Sequence, residues 1–104
     1  DYDQNPTFET MGVVGYCEMM THTIHLCDLS TCPGYEFEAS TFLDSASKEI
    51  FRHEIVHAFL FESGLSNSAH STQSGWATDE EIIDWIALQS PKLFKLFNEL
   101  DLLD

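Results

Sequence analysis

Between Asp44 and Ser63 apolar side chains return every three or four residues, at Ile50, Phe51, Ile55, Val56, Phe59 and Leu60, which places them along one side of an α-helix. Asp44 or Ser45 can cap its start, and Gly64 stands where a glycine closes a helix. Ahead of it the period changes to two. Met11, Val13, Gly15 and Cys17 alternate with Gly12, Val14 and Tyr16, and Thr23 to Cys27 alternates again after a break at residues 18–22, so two antiparallel strands are predicted. Residues 28–35, with Ser30, Thr31, Pro33 and Gly34, read as a loop, and residues 36–42 fit neither period. Residues 63–75 are polar and rich in Ser, Asn and Gly, again a loop. Thr78 and Glu81 match a capping box that opens a helix through Ile82, Ile83, Trp85, Ile86 and Leu88. Ser90-Pro91 is expected to end it and start another over residues 92–102, striped with Leu93, Phe94, Leu96, Phe97 and Leu100. The expected class is α+β, one domain over residues 1–104. A small, mostly antiparallel sheet packs on the central helix and two C-terminal helices, with Phe51, Phe59, Trp85, Phe94 and Phe97 in the core.

Composition narrows what such a domain does. At 104 residues the chain is long enough for one core, and 43% hydrophobic content excludes global disorder. Four Lys and Arg against eighteen Asp and Glu give a net charge of −14, which repels nucleic acid and anionic membranes. No apolar run approaches the roughly eighteen residues of a membrane span, and no basic start leads into an apolar stretch, so the default setting is cytoplasmic, as a monomer or weak oligomer. Cys17, Cys27 and Cys32 are an odd count. Free thiols in a reducing compartment are expected, with a Cys17–Cys27 pair left open if the segment between them is a hairpin.

The chemistry concentrates at His53-Glu54-Ile55-Val56-His57. On a helix each residue turns about 100°, so His53 and His57 lie within roughly 40° of each other, one turn apart, and can aim two imidazoles at one ion. Glu54 lies off that axis, where it can reach a water and act as a base. Burying this trio among Ile50, Phe51, Ile55 and Phe59 without partners would cost several kcal/mol, which a cation offsets. A catalytic zinc site needs a third protein ligand and keeps a fourth position open. Candidates are His70, Glu62, the cysteines and the acidic start of the later helix. There Glu80 is preferred, because Glu81 serves the cap, and Asp84 one turn on can accept the second ring N–H of a ligand histidine, most readily His53. Small Ala87 extends that face.

His53-Glu54-x-x-His57 followed by Glu80-x-x-x-Asp84 resembles the zincin metallopeptidases of the gluzincin type, over residues 20–88 in layout and five positions in identity. The length is most similar to minimal single-domain gluzincins, some of them latent. The resemblance implies a Zn²⁺ cofactor held by His53, His57 and Glu80, with Asp84 behind His53. It implies a peptide or protein substrate lying along a strand, here Thr23 to Cys27, and hydrolysis by a metal-activated water with Glu54 as general base. His70 and Tyr35 are the candidate transition-state stabilisers, with Tyr16, His22 and His25 behind them. Asp79 stands where many members have Asn. The alternatives are a latent or non-catalytic zincin-like binding or regulatory module, and a structural zinc closed by His70 or a cysteine. Leu60 and Ser63 exclude the pattern with a third histidine. No G-x-S-x-G turn, deaminase cysteine pair or P-loop occurs.

Overall fold

The computed structural model describes residues 1–63 and 79–104. Among these the fold is α+β: helix α1 (Pro6–Met11), strands β1 (Gly15–Glu18) and β2 (Thr23–Leu26), and two long helices, α2 (Ser40–Glu62) and α3 (Glu80–Glu99). Single 3₁₀ turns at Tyr2–Gln4, Met19–Thr21 and Leu29–Thr31 join them. No described helix is long and apolar enough to cross a membrane.

The alternation that predicted a strand from Met11 begins too early, because local capping wins there. Asn5 accepts a hydrogen bond from the Thr7 N–H at 3.1 Å, and Pro6 occupies the first helical position. Gly12, at φ 67°, turns the chain so that the Gly12 and Val13 N–H groups bond to carbonyls of the last turn. The hairpin then pairs Gly15 with Leu26, Tyr16 with His25, Cys17 with Ile24 and Glu18 with Thr23. Tyr16 stacks on its partner His25, centroids 4.6 Å apart. At the turn Glu18 accepts from the Thr21 hydroxyl at 2.7 Å and meets His25 Nε2 at 3.2 Å, and these two contacts hold its carboxyl below the usual range.

Phe8, Cys27, Leu29 and Cys32 form a buried cluster, covered by Val13, Val14, Tyr16, Leu43 and Ile50. Cys27 and Cys32 are joined as a disulfide and Cys17 is free. The expectation of three free thiols is thereby corrected, as is the Cys17–Cys27 alternative: Cys17 faces Ile24 across the hairpin, and Cys27 lies beyond its end.

Helix α2 starts at Ser40, five or six residues earlier than expected, behind Ala39, which offers no side-chain cap. Asp44 sits inside it and pairs with Lys48 at 3.1 Å instead of capping. Gly64 and Thr78 lie outside the described residues. At α3 the cap is Asp79, whose Oδ1 accepts the Glu81 N–H at 2.9 Å, so Glu81 contributes its backbone to the cap.

The two C-terminal helices expected on either side of Pro91 are one continuous helix. Proline removes the N–H that would bond to the carbonyl four residues earlier, which belongs to Ala87. Here Arg52 of α2 donates its Nε–H to that carbonyl at 2.6 Å. A tertiary contact fills the gap proline leaves, so the helix does not break.

The aromatic core drawn from periodicity is also corrected. α3 buries Ile83 and Ala87 on α2, whereas Phe51, Phe59, Trp85, Phe94 and Phe97 are exposed.

Candidate metal centre

The middle of α2 and the first turns of α3 run alongside each other, and this contact sets the site. The Nε2 atoms of His53 and His57, one turn apart on α2, lie 3.1 Å from each other. Glu80, at the start of α3, reaches both: Oε2 is 2.9 Å from His53 Nε2, and Oε1 is 3.1 Å from His57 Nε2. The three side chains offer ligand atoms within 4.8 Å of one another, an arrangement that could hold a metal ion. A tetrahedral zinc with bonds of about 2.0–2.1 Å has ligand-to-ligand edges of about 3.3–3.4 Å, close to the observed separations. Donor identity and spacing both fit a borderline-soft dication.

Asp84, one turn after Glu80, places Oδ1 2.6 Å from His53 Nδ1. That carboxylate is placed to accept a hydrogen bond from Nδ1–H, the tautomer in which the Nε2 lone pair faces the shared point. The histidines are half-buried, whereas the Glu80 and Asp84 side chains are 63% and 68% exposed, so the cluster opens to solvent on the α3 side.

Glu54 is the one charged side chain buried among the described residues, at 8% exposure. Its Oε2 is 3.9 Å from His53 Nε2, beside the cluster but outside the ligand triangle. Two small residues of β1 set its surroundings: Gly15, expected only as a strand residue, and Cys17, one of the cysteines considered as ligands, which is not in the metal-binding group. At Gly15 an added Cβ would lie 2.7 Å from Ile50 Cγ2 and 3.5 Å from Glu54 Cγ, so β1 lies this close to α2 only without a side chain there. Cys17 donates its thiol to the Glu54 carbonyl at 3.0 Å, and burial, followed by the charge of Glu54, pushes its pKa up to about 12. The signal available in the sequence was the alternation that places Gly15 and Cys17 on one strand face, small residues where a helix approaches.

Two cavities flank the cluster. One of about 360 Å³ is bounded by Val13, Gly15, Tyr16 and Cys17 together with His53, Glu54, His57 and Glu80. The other, of about 420 Å³, lies on the Asp84 side and includes Tyr35, His53 and Glu54 in its wall. The strand along the site is thus β1 and not Thr23 to Cys27. Tyr35 is brought to the second cavity. Tyr16 reaches the first, although its hydroxyl accepts from Asn5 Nδ2 at 2.8 Å. His22 pairs with Glu62 at 3.0 Å and His25 with Glu18, so none of these four is in the metal-binding group. Of the cysteines, Cys27 and Cys32 are paired in the core. His70 lies outside the described residues. No protein-family model, curated protein or solved structure matches the chain, and the site is therefore read from its own geometry.

Proposed function

We propose that this chain is a zinc-dependent peptidase with Glu54 as its general base. The observation that carries the reading is the convergence of His53 Nε2, His57 Nε2 and the Glu80 carboxylate, with the buried Glu54 carboxylate beside them and outside the ligand set. Zinc held there would supply Lewis-acid polarisation of a carbonyl and acidification of water. Two neutral imidazoles and one carboxylate contribute a single negative charge, so the site as a whole keeps a net +1.

The protein's own groups account for the rest. Asp84 fixes the His53 tautomer and Glu80 joins α3 to α2 across the site. Glu54, held between α2 and Gly15, accepts a proton from the attacking water and returns it to the departing amine nitrogen. β1 lies along the cavity, where its backbone can align an extended peptide. A substrate of this kind is the class the donors and the open cavities suit best.

The test is elemental analysis of the purified chain joined to peptide-library cleavage. One zinc per chain is expected. Glu54→Gln should keep the metal and lower hydrolysis by about 10²- to 10⁴-fold, and His57→Ala should lose metal and activity together. A Glu54→Gln variant as active as the parent, or full activity in metal-free protein, would overturn the assignment. Zinc binding without any cleavage would leave a metal-binding module in its place.

A further inference from the structure

Helix α3 has two apolar faces, and among the described residues only one of them is covered. Ile83 and Ala87 point at α2 and are 0% and 1% exposed. A second series, Ile82, Ile86, Gln89, Leu93, Leu96 and Leu100, recurs at intervals of four, three, four, three and four, the seam spacing of a coiled coil. Its distal members are open: Leu93, Leu96 and Leu100 are 38%, 48% and 58% exposed. Phe97 lies beside them. These side chains together offer on the order of 350 Å² of apolar surface, rising to roughly 550 Å² with Leu102 and Leu103, toward the about 800 Å² a standard interface takes from each partner.

Charge identifies the occupant. Residues 91–104 hold Lys92 and Lys95 against Glu99, Asp101 and Asp104, a net of −1 within the −14 of the chain. Here two copies can meet with little local repulsion. In an antiparallel pairing about a two-fold axis near residues 94–95, Leu93 of one copy meets Leu96 of the other, and Leu100 meets Gln89. The same alignment sets Lys92 across from Glu99 twice, once on each side of the axis. We propose that the distal half of α3 is a homodimerisation face, occupied by the same helix of a second copy in antiparallel orientation. The face lies away from His53, Glu54 and His57, so the proposal does not depend on the metal reading.

Sedimentation velocity of the whole chain over a range of concentrations and salt tests it. The expected result is a reversible monomer–dimer equilibrium that tightens as salt rises, because screening relieves the repulsion between two chains of −14. Leu96→Glu should leave the circular dichroism of the monomer unchanged, since the side chain is exposed, and weaken the dimer by more than about a hundredfold. Lys92→Glu and Glu99→Lys should each weaken it, and the two changes together should restore it. A chain that stays monomeric at every concentration and salt would overturn the proposal, including the case in which residues 64–78 cover the face. So would a dimer indifferent to Leu96→Glu, or a Lys92→Glu, Glu99→Lys double variant no tighter than the single ones.

Discussion

From Glu80 to Ser90, α3 lies on α2, buries Ile83 and Ala87 and carries Glu80 and Asp84 to the histidines; from Pro91 to Glu99 every residue of the same helix is exposed. Both halves have apolar residues at helical spacing, and they differ in what stands opposite. The proximal half has a long helix beside it, whose Arg52, Ile55 and Val56 reach as far as Pro91 and Phe94, while the leucine face of the distal half is open, with Leu93, Leu96 and Leu100 exposed. Periodicity reports that a face needs covering, and says nothing of which surface covers it.

The sharpest break of this comparison is truncation on each side of the joint. Ile83→Ala should cost about 2–5 kcal/mol in urea unfolding, whereas Leu96→Ala, measured at low protein concentration, should stay within about 0.5 kcal/mol. Equal losses would mean that the two halves are packed alike. The joint itself is next. Arg52→Ala deprives the Ala87 carbonyl of its donor and should cost about 1.5–3 kcal/mol, the range for hydrogen bonds from charged groups. In a Pro91→Ala background the helix recovers its own N–H, and the same arginine substitution should cost measurably less; an additive cycle would show that the proline and the arginine do not act together.

On the proximal side, Gly15→Ala sets a methyl 2.7 Å from Ile50 Cγ2 and should cost about 1–3 kcal/mol as overpacking, partly recovered by Ile50→Val. A neutral Gly15→Ala would show that β1 has room beside Glu54. The smallest effect concerns Cys17. Its thiol ordinarily ionises at 9.0, and here is pushed up to about 12. The folded state therefore keeps a proton that the unfolded state releases, so stability falls as pH rises from about 9 towards 12. Iodoacetamide labelling of the native protein should stay slow up to about pH 10, and rapid alkylation at pH 8 would contradict the half-buried, Glu54-facing thiol.

The site was more legible in the residues than the fold around it. His53, Glu54 and His57 lie within one helical turn, so helix geometry alone relates their directions. Glu80 and Asp84 follow the same rule on a second helix, and the structure brings both sets together. Gly15 was read only as a strand residue and Cys17 as a strand residue and a candidate ligand, because their relation to Glu54 exists only once β1 meets α2. The strand assigned to the cleft was wrong for the same reason: either strand of a hairpin can face a helix, and alternation does not choose between them.

The amino-acid order by itself determined the local geometry: the helical period through residues 50–60, the hairpin, the acidic start of α3 and the spacing of its potential ligands. These depend on dihedral preferences and on groups a few residues apart. Tertiary contact decided the rest. Pro91 was expected to end a helix, yet α3 runs through it, and Arg52, far away in the chain, donates to the Ala87 carbonyl that the proline leaves without its helical partner. Phe94 and Phe97 have the pattern of a core and stay exposed, Phe94 at the edge of a cavity that Arg52, Ile55 and Val56 of α2 also line. Hydrogen-bond supply and surface coverage are set by neighbours in space, and the order of residues along a single helix does not contain them.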